Sequence, residues 1–186
     1  RFTLAGITTV IGVLGTDEPN SFLDPKTREL IGYEVDLGRA IAAQIGVKPV
    51  FKQLAVAARI PELQQAKVDL LAASLTHLKE RETQIDFSIT TFITGQKVMV
   101  KQDSPIHDVQ QLDAKRVLTV KGGTQEPNTR RVAPTASIIT FETQPQAFLA
   151  LQQGKGAAYV DDEFRILDSM HKLGDKARNY RILPTN

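Results

Sequence analysis

The sequence predicts an α/β fold, because short β-branched, apolar runs alternate with stretches that have a helical pattern. Residues 8–14 (TTVIGVL) have the composition of a buried parallel strand, and the turn-rich residues 15–20 follow them. Residues 33–45 carry apolar side chains at every fourth position, which indicates a helix that Gly46 ends. In open α/β sheets, ligands gather beyond the carboxyl ends of the strands, so the segments after the strands are the candidate site.

Further elements continue this alternation along the chain. In the first long helix, the side chains at every fourth position from Tyr33 to Ile45 are expected to face the core. Thr124 is predicted to be the N-cap of a helix whose first turn contains Pro127. The other predicted strands are residues 49–54, 68–72, 95–101, 117–120, 137–141, 157–160 and 180–184, and the other predicted helices lie near residues 60–63, 145–153 and 164–173.

The stretch 73–81 (ASLTHLKER) has the pattern of an anion-binding turn. The hydroxyls of Ser74 and Thr76 fall between an apolar run of strand length and a run of strong helix formers. Unpaired N–H groups in a first helical turn attract a carboxylate, and Arg81 can add a planar, two-pronged donor. Spacing alone leaves a second interpretation open, in which Thr76 is only an N-cap and Arg81 only a surface charge.

Composition limits the classes of function. The 186 residues suit one large domain or two small ones, and 41% hydrophobic with 24% charged residues is an ordinary globular balance. The net charge of +2 is small and the basic residues are scattered, which indicates neither a nucleic-acid surface nor a polybasic membrane patch. No apolar run approaches the roughly 18 residues of a membrane span. Residues 1–6 do not have the pattern of a signal peptide.

The sequence carries no clear pattern for catalysis, metal or cofactor binding. The absence of cysteine excludes disulfides, thiolate metal sites and a cysteine nucleophile. No P-loop, Gly-x-Ser-x-Gly motif or metal-ligand cluster occurs, so we expect no cofactor and no metal. Glu18 and Glu34 are expected to be surface or capping groups. The three histidines, His77, His107 and His171, stand apart from any nucleophile pattern.

Several motifs together resemble a known family. Residues 31–37 (IGYEVDL), 59–63 (RIPEL) and 122–125 (GGTQ) are similar to motifs of the bacterial solute-binding proteins that supply polar amino acids to ABC transporters. Asp69, Ser74, Thr76, the pair Glu80 and Arg81, and residues 86–88 (DFS) resemble the signature of the same family. The resemblance runs from about Gly12 to about Pro184.

The resemblance implies an α/β, two-lobe periplasmic-binding-protein fold of type II. It places the N-terminal part of lobe one at residues 1–101 and lobe two at residues 102–186, ending near the return hinge. Family members continue into a segment that completes lobe one, and this sequence is expected to lack it. If that segment is absent, apolar surface on lobe one is uncovered, and self-association through the incomplete lobe is expected.

By the same resemblance, the protein is expected to bind a zwitterionic amino acid in the cleft between the lobes and to deliver it to an ABC permease in the membrane. The implied location is the periplasm, or the cell exterior by means of a lipid anchor. Asp162 would accept from the ligand ammonium, although it could instead be only the N-cap of the following helix. The groups expected on the α-carboxylate are Ser74, Thr76, Arg81 and Thr124.

Arg59 points to the ligand's identity. Residues 56–61 (VAARIP) resemble the glutamate/aspartate branch, in which an arginine directly before Ile-Pro points into the cleft. Such an arginine can pair with a side-chain carboxylate. Leu14 stands where that branch carries a second arginine, and Pro19 and Asn20 occupy the place of a usual aromatic residue. An acidic amino acid is therefore expected ahead of glutamine or another small polar amino acid, and a cationic ligand last.

Two other classes of function stay open. The fold resembles a dehydratase acting on a cyclohexadienyl substrate, and it also resembles the ligand-sensing domains of histidine kinases and ionotropic glutamate receptors. General acid catalysis would need a carboxylic acid with a raised pKa in a dry pocket, and no pair of acids has a spacing that compels this. We therefore expect a binding protein and not an enzyme.

Overall fold

The computed structural model describes residues 6–184, which form two compact units that divide between Thr91 and Phe92. Residues 1–5, on which most of the expectation about a leader rests, lie outside the described part. Both units consist of strands connected by helices, so the predicted α/β class is confirmed. The boundary after residue 101 stays a prediction about the lobes.

The first unit is built on a parallel sheet. Its elements are β1 (Thr8–Val13), β2 (Thr16–Asp17), β3 (Ser21–Leu23), β4 (Leu30–Ile31), α1 (Tyr33–Ile45), β5 (Lys48–Gln53), a 3₁₀ turn (Val56–Ala58), α2 (Arg59–Gln64), β6 (Leu70–Leu71) and α3 (Lys79–Glu82). β1 lies between β5 and β6 and is parallel to both, while β2, β3 and β4 form a small antiparallel sheet. The carboxyl ends of the three parallel strands therefore lie at one edge, as the sequence predicted.

Helix α1 packs on this sheet through small residues, so the prediction for its apolar stripe is wrong. Its buried residues are Glu34, Val35, Gly38 and Ala42. A Cβ at Gly38 would lie 3.0 Å from Cε1 of Phe51, which is tighter than an ordinary contact, so glycine at this position eases the close approach of the helix to the sheet. Tyr33, Ile41 and Ile45 are instead 45%, 38% and 53% exposed. The physical reason is that a strict four-residue spacing rotates by about 40° per step around a 3.6-residue helix and drifts away from one face.

The second unit contains a five-stranded mixed sheet. Its elements are β7 (Gln96–Lys101), a 3₁₀ turn (Val109–Leu112), β8 (Arg116–Val120), α4 (Gln125–Val132), β9 (Ser137–Phe141), α5 (Gln144–Gln152), β10 (Ala158–Asp162), α6 (Glu163–Leu173), a 3₁₀ turn (Gly174–Asn179) and β11 (Tyr180–Ile182). The strand order is β11-β7-β10-β8-β9. β8 is parallel to β9 and β10, whereas β7 is antiparallel to β10 and β11.

This topology brings three chain segments to one edge of the second sheet. β8 and β10 are parallel and end there, and the antiparallel β7 begins there. The register places Gln96, the first residue of β7, opposite Asp162, the last residue of β10. Thr124 follows β8 at the start of α4. The apolar core behind this edge includes Val98, Val117 and Val160.

Candidate functional site

Ser74 is the centre of a buried polar cluster in the first unit. Its hydroxyl donates to Oδ2 of Asp17 over 2.5 Å and lies 3.2 Å from Oε1 of Glu34, and Nδ2 of Asn20 donates to it over 3.0 Å. Its backbone N–H also donates to Oε1 of Glu34 over 2.5 Å. The segments after β1 and β6 therefore meet, as predicted. The donors of Ser74 are used within the protein.

Arg59 holds the same segment from its carbonyl side. Its guanidinium donates to the carbonyl oxygens of Val56, Ala73 and Ser74, each over 2.8 Å, and the residue is only 3% exposed. Ser74 has a φ of 49°, in the left-handed region that residues with a Cβ rarely adopt. Hydrogen bonds to both its N–H and its carbonyl keep the loop in this conformation.

Glu34 was expected to be a surface or capping group, and that prediction is wrong. It is 9% exposed, and its carboxylate accepts from Ser21 and Ser74. Burial raises its pKa, the hydrogen bond from the backbone of Ser74 lowers it, and the nearby charge of Asp17 raises it further. A signal was available in the sequence, because Glu34, Gly38 and Ala42 share one helical face, on which the other two residues are small.

Thr76 and Arg81 lie together in a more open part of the first unit. Nη1 of Arg81 donates to the carbonyl oxygen of Thr76 over 2.9 Å. Helix α3 has only four residues and begins after Leu78, so Thr76 is not its N-cap. Partial burial lowers the pKa of Arg81, and the carboxylate of Glu80 opposes this shift. The guanidinium remains a cation at neutral pH, because the ordinary pKa of arginine lies far above neutrality.

Thr124 occupies the N-cap position of α4, as predicted, but its side chain does not cap the helix. Its hydroxyl accepts a hydrogen bond of 2.6 Å from Nε2 of Gln96. Oε1 of Gln96 in turn accepts from Nδ2 of Asn128 over 2.9 Å. Thr124 is 8% exposed. Sequence reasoning missed Gln96, because its position depends on the pairing of β7 with β10.

Asp162 lies at the end of β10 beside a second acid, Asp161. Nη1 of Arg165 contacts Oδ2 of Asp162 at 2.6 Å and Oδ1 of Asp161 at 3.2 Å. Nε2 of Gln125 also donates to both acids, over 3.2 and 3.3 Å. Burial and the charge of Asp161 raise the pKa of Tyr159 well above its ordinary value, so the phenol stays protonated and donates to Asp161. Asp162 is the N-cap residue of α6 without capping it through its side chain.

The structure thus brings the predicted site residues together in pairs within each unit. Arg59 contacts the carbonyl of Ser74, and Arg81 contacts that of Thr76. Thr124 and Asp162 lie at one edge of the second sheet, where Gln96 pairs with Asp162 and bonds to Thr124. Within residues 6–184 there is no group of three or more histidine or acidic side chains placed to hold a metal ion.

No helix in the described part of the chain has both the length and the apolar character needed to cross a membrane.

Comparison with protein families gives one match that covers most of the chain. The sequence model of the bacterial extracellular solute-binding proteins, family 3, matches residues 9–180. The glutamine-binding protein GlnH of an ABC transporter of Bacillus subtilis is 35% identical over 163 residues, which are 86% of this chain. An L-glutamate/L-aspartate-binding protein of Pseudomonas aeruginosa is 27% identical over 176 residues, or 89% of this chain. The chain spans 58% of the length of each of these curated relatives.

Solved structures include close matches in backbone geometry. An ancestral arginine-binding protein bound to glutamine superposes with a TM-score of 0.88 at 32% identity, over 96% of this chain and 79% of that one. An ancestral amino acid-binding protein that is a precursor of cyclohexadienyl dehydratase gives a TM-score of 0.85 at 28% identity, over 96% and 78% of the two chains.

Proposed function

The chain belongs to the bacterial extracellular solute-binding proteins of family 3 and has the type II periplasmic-binding-protein fold, and from this membership we propose that it binds a polar amino acid. We further propose that it acts outside the cytoplasm and delivers this ligand to the membrane permease of an ABC transporter. Relatives named for amino acids support the ligand class. The protein is proposed to be non-catalytic.

The observation that carries the proposal is that Thr124 and Asp162 lie at one edge of the second sheet, where Gln96 is opposite Asp162 in the register and bonds to Thr124. A free amino acid is a zwitterion, so a site for it needs donors for the carboxylate and acceptors for the ammonium. The hydroxyl of Thr124 suits the first and the carboxylate of Asp162 the second. In the first unit, Thr76 and Arg81 are proposed carboxylate donors.

Ser74 was predicted to hold the carboxylate too, and we propose a different contribution for it. Its N–H and hydroxyl already donate to Glu34 and Asp17, and a hydroxyl has only one proton to give. We assign Ser74 to fixing the loop that precedes Thr76. The loop conformation then determines where Thr76 and Arg81 present their donors.

For the identity of the amino acid, we propose glutamine first and glutamate or aspartate second. The three carbonyl bonds of Arg59 favour an uncharged ligand side chain, because they occupy donors that a side-chain carboxylate would require. The positive charge of the same arginine is the observation that favours an acidic ligand. The B. subtilis relative is named for glutamine and the P. aeruginosa relative for glutamate and aspartate.

Isothermal titration of the purified protein with a panel of amino acids tests the proposal. We expect saturable heat at 1:1 stoichiometry with glutamine, weaker binding of glutamate, and no heat with lysine. Arg81→Ala should reduce every affinity, and Arg131→Gln, an exposed arginine at the end of α4, is the matched control. A folded protein that gives no heat with any member of the panel would exclude the amino-acid proposal.

The dehydratase alternative makes a different prediction. Both oxygens of the buried Glu34 accept internal hydrogen bonds, which favours a structural role for this acid over general acid catalysis. Turnover of a prephenate-like acid by the wild-type protein would establish the enzyme alternative.

Self-association stays a prediction, supported by the exposed Tyr33, Ile41 and Ile45, and a stable monomer in light scattering would contradict it.

A further inference from the structure

Gln96 occupies a position that the proposed function leaves unexplained. It is the first residue of β7, opposite Asp162 in the register, and its side chain reaches across to Thr124. Its amide therefore lies between the residue proposed for the ligand ammonium and the residue proposed for the ligand carboxylate. A group in this place can influence which of its neighbours donates and which accepts.

The orientation of the Gln96 amide is set by Asn128. An amide side chain has a donor end and an acceptor end, and Nδ2 of Asn128 donates to the acceptor end of Gln96 over 2.9 Å. The NH2 end must then face Thr124, where the distance from Nε2 to Oγ1 is 2.6 Å. Asn128 is itself held one helical turn after Thr124, because its N–H donates to the Thr124 carbonyl. The order Asn128 to Gln96 to Thr124 is thus built into α4 and β7.

This order decides the role of the Thr124 hydroxyl. A hydroxyl that accepts from an amide keeps its single proton for another acceptor, and donation from the amide makes that proton a stronger donor. Within the described chain, the Thr124 hydroxyl donates to no other protein group. Its proton is therefore available to an anionic acceptor that the protein does not contain.

Gln125 has the opposite effect on the neighbouring acids. Its Nε2 donates to Asp161 and Asp162, which keeps those carboxylates in the role of acceptors. A Cβ at Gly123 would lie 2.0 Å from Oε1 of Gln125, so the glycine leaves room for this amide orientation. The two glutamines thus fix a donor at Thr124 and an acceptor at Asp162.

We propose that Gln96 is a positioning residue that, held by Asn128, presents the Thr124 hydroxyl as a hydrogen-bond donor to the carboxylate of the bound amino acid. The inference rests on the proposed function, since it assigns a carboxylate to Thr124. The inference adds a basis for specificity. A ligand whose α-carboxylate is replaced by a carboxamide offers the Thr124 hydroxyl a weaker acceptor.

The test is a double-mutant cycle read by titration with glutamine. Gln96→Met keeps the side-chain length without the amide, so the Thr124 hydroxyl can rotate freely, and we expect an affinity about 3- to 10-fold lower. Thr124→Val should cost more, about 10- to 150-fold, because it removes a hydrogen bond to a charged group. Gln96→Met added to Thr124→Val should cost nothing further.

A second variant, Asn128→Asp, tests the role of the Gln96 amide without changing β7. In Asn128→Asp the carboxylate accepts from the Gln96 amide, so the amide turns over and its oxygen faces Thr124, which then donates inwards. Glutamine affinity should fall in this variant, and Gln152→Glu, an exposed site on α5, controls for the added charge. Circular dichroism and thermal unfolding confirm that each variant is folded.

The outcomes are distinct. If Gln96→Met binds glutamine like the wild type, or loses the same factor with and without Thr124→Val, the positioning role is overturned. If wild-type protein binds no amino acid, both the proposed function and this inference are excluded. Loss in both Gln96→Met and Asn128→Asp, with full coupling to Thr124, establishes the positioning role.

Discussion

Two segments of the chain have a similar local arrangement, but their hydroxyl groups form hydrogen bonds in opposite directions. Residues 74–76 in the first unit and residues 122–124 in the second both follow a strand and carry a hydroxyl residue close to a helix. In the first, the hydroxyl of Ser74 donates to a buried carboxylate. In the second, the hydroxyl of Thr124 accepts from an amide. One hydroxyl is therefore used to hold the loop, and we propose that the other keeps its proton for a ligand.

The groups that surround each hydroxyl account for this difference. Asp17 and Glu34 are acceptors, so they draw the donors of Ser74 inwards. Gln96 offers a donor and so leaves the proton of Thr124 unused inside the protein. The partner, and not the hydroxyl residue itself, thus determines whether the hydroxyl donates its proton inside the protein. The following predictions test this contrast, beginning with the largest effect.

Arg59→Ala should cause the largest loss of stability. It leaves three carbonyls without their charged donor, and the arginine side chain that is removed is only 3% exposed. We expect the free energy of unfolding to fall by about 3–5 kcal/mol, measured by urea denaturation. Arg59→Lys should lose less, because a single ammonium can still donate to part of the set. A loss below about 1 kcal/mol for Arg59→Ala would show that the first-unit loop does not depend on this arginine.

Arg81→Ala should affect ligand binding far more than stability. Its hydrogen bond to the Thr76 carbonyl lies in an exposed region, so we expect less than about 1 kcal/mol of lost stability. Glutamine and glutamate affinity should both fall by about 10- to 150-fold, as for a charge-assisted hydrogen bond to the α-carboxylate.

If Arg59 serves the ligand side chain, Arg59→Lys should weaken glutamate much more than glutamine. Equal changes for both ligands would limit Arg59 to holding the loop.

Two substitutions at Ser74 separate backbone conformation from hydrogen bonding. Ser74→Ala and Ser74→Gly both lose the hydroxyl contacts with Asp17, Glu34 and Asn20. Only glycine adopts the φ of 49° without a steric cost, so Ser74→Ala should be less stable than Ser74→Gly by about 1 kcal/mol. Thermal unfolding of the pair gives this difference directly. Equal stability would mean that the loop relaxes out of the left-handed region.

How much of this could be predicted from the sequence depends on how local each feature is. The alternation of strands and helices was readable, and so was the stop of α1 at Gly46, which has a left-handed φ of 78°. The place of Thr124 before α4 also follows from local capping preferences. Gln96 could not be assigned in this way, because its partner Thr124 lies 28 residues away in the sequence. The burial of Glu34 could be predicted from the helical face that it shares with Gly38 and Ala42, but its partner Ser74, 40 residues away, could not.

The smallest predicted effect is a dependence of stability on pH through Glu34. Its pKa is raised in the folded state, so its favourable contribution is complete below the unfolded value of about 4.3 and is lost as the pH rises through the folded pKa. Glu34→Gln does not titrate. The stability of the wild type relative to this variant should therefore decrease in urea denaturation as the pH rises above the unfolded value and through the raised folded pKa. A parallel course for both proteins would mean that burial does not perturb Glu34, and Glu142→Gln, at an exposed site, is the control.

The hydrogen bond from the Ser74 amide to Glu34 has a consequence for hydrogen exchange. Most slowly exchanging amides are protected by a carbonyl in a helix or sheet, but this one is protected by a carboxylate from α1. Its exchange with deuterium therefore requires separation of the loop from the helix, which is a local opening and not the melting of a strand. The single amide of Ser74 thus reports how often the loop at residues 74–76 opens while the sheet beside it stays intact.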